Sequence, residues 1–122
     1  MDMIQLGEDA YEDGKYLKAL NYFLKGYEQD QDTYTLLNIA LTYQALKDND
    51  KAMSIYKEII QEDPDESMAY YGIASLYDDQ KDYEQAIYYY EQAIEVDPMY
   101  DRAYFFLANA YDTIGDTQKA IY

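Results

Sequence analysis

Cysteine, histidine and tryptophan are absent from the 122 residues, and proline occurs only twice. Without cysteine there is no disulfide framework, no thiolate metal site and no cysteine nucleophile; without histidine every His-based triad and metal motif is excluded as well. Basic residues are also scarce. Nine Lys and Arg stand against 25 Asp and Glu, a formal charge of −16. A surface this acidic repels phosphate backbones and anionic lipid, so neither nucleic acid nor a membrane surface is expected as a partner. No apolar run approaches the roughly 18 residues of a membrane span, and the opening Met-Asp-Met-Ile-Gln has neither the basic nor the apolar segment of a signal peptide. Together with the missing cysteines, this leads to the expectation of a cytoplasmic protein.

What is abundant is tyrosine, with 18 Tyr beside 3 Phe, in a chain that is 49% apolar. That apolar share is too high for a disordered acidic tail and supports one folded domain of 122 residues. Such a tyrosine bias arises either from an aromatic binding surface or from a repeated core position, so internal repetition is the first question. Asp63-Pro64 and Asp97-Pro98 lie 34 residues apart, as do Ala52, Ala86 and Ala120, and Ala19 precedes Ala52 by 33. In register, the copies run over residues 1–32, 33–66 and 67–100, with an incomplete copy over 101–122. Each full copy carries two blocks of helical periodicity. Tyr70, Ile73, Ala74 and Tyr77 follow i, i+3, i+4, i+7; Ala86, Ile87, Tyr90, Ala93 and Ile94 repeat the pattern. Between the blocks, Asp82 is placed to cap the second helix with Gln85 three residues on, and Asp48 and Asp116 hold the equivalent place.

This arrangement resembles the tetratricopeptide repeat, a helix–turn–helix unit of about 34 residues. The family's small residue in the first helix is Gly7, Ala40, Ala74 and Ala108; the aromatic three positions later is Tyr43, Tyr77 and Tyr111, with Ala10 departing. The second-helix alanine is Ala19, Ala52, Ala86 and Ala120, followed after four residues by Phe23, Tyr56 and Tyr90. The closing proline is Pro64 and Pro98, with Gln31 in its place in the first copy. The resemblance implies an all-α, right-handed superhelical solenoid of antiparallel helix pairs over the whole chain. Each pair buries one face only, so it must stack on its neighbours. Tyr16, Tyr43, Tyr56, Tyr70, Tyr77, Tyr83, Tyr90, Tyr104 and Tyr111 fall at the family's structural aromatic positions and are expected in the core.

Catalysis finds little to work with. Ser54, Ser67 and Ser75 are the only serines and have no histidine to activate them. Asp78-Asp79 and Asp63-Pro64-Asp65-Glu66 sit at helix ends, where capping explains them. Asp48-Asn49-Asp50 opens like a calcium loop, but Met53 and Ile59 stand where Gly and Glu are required. No glycine-rich phosphate loop exists. No catalytic residue, cofactor or metal is expected.

What remains is surface. In this family the first helices line a concave groove in which partners lie. On that pattern the groove-facing residues include Tyr34, Leu37, Asn38, Leu41, Met68, Tyr71, Asp78, Asp79, Phe105, Asn109 and Asp112. Tyr34, Leu41 and Met68 stand at sites that are usually polar and imply an apolar centre flanked by carboxylates. The expected partner is a protein or peptide segment, apolar with basic residues. Family members that grip the carboxylate of chaperone tails use Lys, Arg and Asn; the corresponding places here hold Ile4, Glu8, Asn38, Met68 and Gly72, and only Asn38 fits. Two alternatives stand beside the scaffold reading: a structural module that self-assembles by stacking repeat ends, and a recruitment domain of a larger protein. The incomplete last copy favours a longer native array or self-association. Asp101 to Ile114 forms one helix, Asp116 is placed to start another, and Tyr104, Leu107 and Tyr111 form the stripe that a full second helix would cover.

Overall fold

The computed structural model describes the backbone of residues 2–121 and the side chains of residues 2–115. Among the described residues seven helices follow one another: α1 (Met3–Glu12), α2 (Tyr16–Gln29), α3 (Thr33–Ala45), α4 (Asn49–Glu62), α5 (Ser67–Asp79), α6 (Tyr83–Val96) and α7 (Asp101–Ile121). The all-α class read from the repeat is the observed one. The chain divides into two compact units, Met1–Ile59 and Ile60–Tyr122, with the division inside α4.

Carboxylates start the helices. Asp2 and Asp32 accept from the amides of Gln5 and Thr35 at 2.8 and 2.7 Å, opening α1 and α3. Asp48 and Asp82 do the same for Lys51 and Gln85, each at 3.4 Å, as their spacing predicts. The turns inside the pairs are built alike. Lys15, Asp48 and Asp82 each donate their amide to the carbonyl five residues back, on Ala10, Tyr43 and Tyr77, all at 2.9 Å. The residue before each donor has a left-handed backbone: Gly14 (φ 77°), Lys47 (φ 68°) and Lys81 (φ 64°). That is the Schellman ending, which satisfies carbonyls the helix leaves unpaired. Asp63 and Asp97 close α4 and α6 with side-chain acceptors for Asp65 and Met99, both at 3.1 Å.

In the first unit α1 packs on α2 and α2 on α3. Its core joins Ala10, Ala19, Phe23 and Ile39. Two glycines set the approach of α1 and α2. A Cβ at Gly7 would fall 2.6 Å from Phe23 Cε1, and one at Gly26 would fall 2.6 Å from Ile4 Cδ1. In the second unit α5 packs on α6 and α6 on α7. Here Ala74, Ala86, Ala93 and Ala103 surround Tyr90, all buried, with Tyr70, Tyr71, Tyr77, Tyr100 and Phe106 packed against them. Small residues draw the helices together and aromatic rings fill what is left.

Two expectations are corrected at the C-terminal end. Asp116 starts no helix: α7 runs unbroken from Asp101 to Ile121, and the Asp116 side chain lies outside the described residues. Tyr104 and Tyr111 are not core residues but about half exposed, and Ala108 is exposed, because among the described residues no following helix folds back over them.

Candidate functional site

Among the described residues no cluster of acidic side chains could hold a metal ion, and no helix is long and apolar enough to cross a membrane. The surfaces of the first helix in each pair are therefore the place to look, one unit at a time.

In the first unit α1 and α3 face a cavity of about 230 Å³ lined by Glu8, Tyr11, Glu12, Phe23, Tyr34, Asn38 and Leu41. At its mouth the Tyr34 hydroxyl donates to Glu8 Oε1 at 2.6 Å. That bond is the main reason the Tyr34 phenol titrates above its ordinary value. Burial raises Tyr11. The Asn38 amide nitrogen, Nδ2, is buried beside the Tyr34 hydroxyl, where the amide acts against the rise of the phenol, but it makes no well-formed hydrogen bond among the described residues. A buried donor without an acceptor costs on the order of 1–3 kcal/mol, so this atom is poised for one.

Comparing copies shows how the residues beside the cavity differ. In the second copy Tyr56 donates its hydroxyl to Gln44 Oε1 at 3.1 Å, and in the third Tyr90 donates to Asp78 Oδ2 at 2.9 Å. The equivalent positions in the first copy are Phe23 and Tyr11. Phe23 has no hydroxyl to offer, so this pair is not formed in the first copy, and both rings line the cavity.

The second unit carries stacked rings instead. Tyr71 lies 5.1 Å from Tyr100 in a stacked pair and 6.2 Å from Phe106, while Tyr90 stacks on Phe106 at 6.3 Å. Burial lifts Tyr71, with the Arg102 cation acting against it. Burial, and then the bond to Asp78, raises Tyr90 strongly; burial pushes Tyr100 up to about 12.

The residues expected to line a groove thus meet different fates. Tyr34, Met68 and Phe105 are exposed by 57%, 45% and 62%. Asp79, Asn109 and Asp112 are exposed too, and Asn38 and Leu41 are half-buried at the cavity. Leu37 is a correction: at 5% exposure it belongs to the core, because α3 buries Thr35, Leu37, Ile39, Ala40 and Thr42 around most of its circumference. Tyr71 is half-buried in its ring stack, and Asp78 is engaged by Tyr90. Of the C-terminal stripe, Leu107 packs against the α5–α6 core and Tyr111 donates its hydroxyl to Glu91 on α6 at 2.5 Å. Glu8, Tyr11 and Glu12 stand at groove-facing positions of the repeat without being expected as anchors, and Phe23 was not expected at the site. Repeat register finds the two glutamates; the phenylalanine standing where later copies have a tyrosine is the signal for Phe23.

The sequence signature of the tetratricopeptide repeat matches residues 34–66, 67–100 and 101–121. The chain belongs to the tetratricopeptide-repeat family. No curated protein matches the sequence. Solved structures match across most of this repeat protein. The first such domain of Spaghetti (RPAP3), bound to the HSP90 peptide SRMEEVD, is 22% identical with a TM-score of 0.81, covering 93% of this chain and 90% of that one. The corresponding domain of human RPAP3 gives 21%, 0.83, 96% and 93%. MamA gives 27% identity and a TM-score of 0.74, covering 99% of this chain and 70% of that one.

Proposed function

We propose that this tetratricopeptide-repeat chain is a non-enzymatic interaction scaffold that binds protein or peptide segments on the exposed faces of its first helices. The observation that carries the reading is the exposure of Tyr34, Met68 and Phe105, one each on α3, α5 and α7, at equivalent places in successive copies or close to them. Large apolar side chains left in water on the same face of each copy are the usual anchors of a partner. Exposed Asp79 and Asp112 add negative charge beside them, which suits a segment carrying Lys or Arg. Peptide binding by RPAP3 domains of the same fold agrees with this use, but the acidic HSP90 peptide SRMEEVD does not suit this chain, where Glu8 and Glu12 would oppose it.

The test is affinity capture from the source cell with wild type and with Met68→Glu/Phe105→Glu, both exposed positions, after circular dichroism has shown the double variant folded. Partners held by wild type should be lost from the double variant. Identical capture by both proteins would overturn the reading. A self-assembly role rests on a separate observation, the exposure of Tyr104 (46%) and Tyr111 (50%) along α7. Light scattering over a wide concentration range decides it: a strict monomer excludes it.

A further inference from the structure

The cavity between α1 and α3 is too small for a whole ligand and too well furnished to be a packing flaw. Its volume of about 230 Å³ is below the roughly 300–1,000 Å³ of small-molecule pockets. At about 30 Å³ per water it has room for one long side chain. Its polar groups fall into two kinds. Glu8 and Glu12 supply negative charge, with Glu8 held in place by the Tyr34 hydroxyl. Asn38 supplies the opposite, a buried N–H donor that lies beside the Tyr34 hydroxyl without a well-formed hydrogen bond among the described residues. Tyr11, Phe23 and Leu41 provide the apolar wall.

We propose that this cavity receives one lysine or arginine side chain of a bound protein segment, with Glu8 and Glu12 taking the cation and Asn38 Nδ2 donating to a backbone carbonyl of the same segment. The inference deepens the scaffold reading and rests on it. Each part of the lining selects something. The carboxylates require a cation, in a chain whose net charge of −16 already draws cations toward it. The apolar wall suits the aliphatic stem that Lys and Arg carry beneath their charge. The amide donor excludes a bare cation, because only an acceptor satisfies an N–H; a peptide brings both groups a few ångströms apart. In the third copy the equivalent positions, Tyr90 and Asp78, are instead hydrogen-bonded to one another.

The experiment uses small probes and NMR. N-acetyl-lysine methylamide and N-acetyl-arginine methylamide are titrated into the full chain, with the norleucine and glutamate derivatives as neutral and acidic counterparts. The cationic probes should shift the Asn38 side-chain amide and the Leu41 methyl resonances in a saturable way. The norleucine probe should bind at least about tenfold more weakly, and Glu8→Gln or Glu12→Gln should weaken the lysine probe about fivefold each, with the effect fading at high salt. Glu12 is exposed, so its variant keeps the test valid even if Glu8→Gln disturbs the fold. Equal binding of lysine and norleucine, unchanged affinity in the folded glutamine variants, or no saturable shift from either cation would each overturn the proposal. Failure of this inference alone is recognisable: capture would then depend on Met68 and Phe105 but not on Glu8.

Discussion

The two units build the same helix pair from different materials. Residues 1–59 hold six basic against eleven acidic residues, a balance of −5, and seven tyrosines; residues 60–122 hold three against fourteen, a balance of −11, and eleven tyrosines. The first unit brings α1 and α2 together through Gly7 and Gly26 and leaves a polar-edged cavity beside Phe23. The second uses alanines and fills the space with Tyr71, Tyr90, Tyr100 and Phe106. A repeat therefore fixes where the helices run, while the side chains chosen at each place decide how the space between them is filled.

The sharpest break of this comparison is at Tyr90, 1% exposed and stacked on Phe106. Tyr90→Ala should cost about 3–5 kcal/mol, as deletion of a buried ring does, and lower the urea midpoint severely. Tyr90→Phe keeps the ring and removes only the bond to Asp78, so about 1 kcal/mol is expected. If Tyr90→Phe were as damaging as Tyr90→Ala, the hydroxyl pairing and not the ring packing would hold the second unit.

Alkaline titration probes the same rings. Burial favours the neutral phenols, so in the folded chain Tyr100 ionises only near 12, against the ordinary 10.0, and Tyr90 later still. Below pH 10 both the folded and the unfolded chain keep these protons, and the contribution to stability is complete. Above it the unfolded chain releases them first, so stability falls as pH rises toward 12. Tyrosinate absorbance should then appear in two stages, the second coinciding with loss of helical circular dichroism. Complete ionisation of all tyrosines near pH 10 with the helices intact would show that the stack is open to water.

The glycines of the first unit sharpen the contrast at smaller cost. Gly7→Ala drives a methyl into the buried Phe23 ring, and a net loss of about 1–2 kcal/mol is expected after the gain in helix propensity. Gly26→Ala meets only the end of the Ile4 side chain, which can turn away, so its effect should be close to zero. Thermal unfolding of the two variants checks the order.

Much of this was legible in the residues. Alanines at 34-residue spacing placed the helices, because close helix contact admits only small side chains, and Asp48 and Asp82 announced the starts they cap. The fate of individual surface positions was less legible. Leu37 shares a repeat position with Phe105, yet one is 5% exposed and the other 62%. Position within a repeat sets a direction on the helix, whereas burial depends on what packs there. The cavity was hidden for a related reason: register places Glu8, Glu12 and Leu41 on the groove side, but whether their side chains leave a space depends on packing that spacing alone does not give.

The smallest effects lie in the turns, where they bear on how the last helix ends. Gly14, Lys47 and Lys81 take the left-handed conformation, and the next position in that series is Gly115. A side chain at positive φ is strained, so Lys47→Gly and Lys81→Gly should each stabilise by about 0.5 kcal/mol, after the entropy that glycine gains on unfolding is subtracted. Gly115 behaves differently. It lies inside α7, without positive φ, and a Cβ there would meet nothing within 4 Å. Alanine at a helix interior is favoured over glycine by about 0.8–1.0 kcal/mol, so Gly115→Ala should stabilise and raise helical circular dichroism slightly. If the chain in solution instead makes the fourth turn, Gly115 sits at positive φ and the same substitution destabilises. The sign of a change below about 1 kcal/mol thus separates a straight α7 from a folded-back one, and matched thermal unfolding of Lys81→Gly and Gly115→Ala reads it.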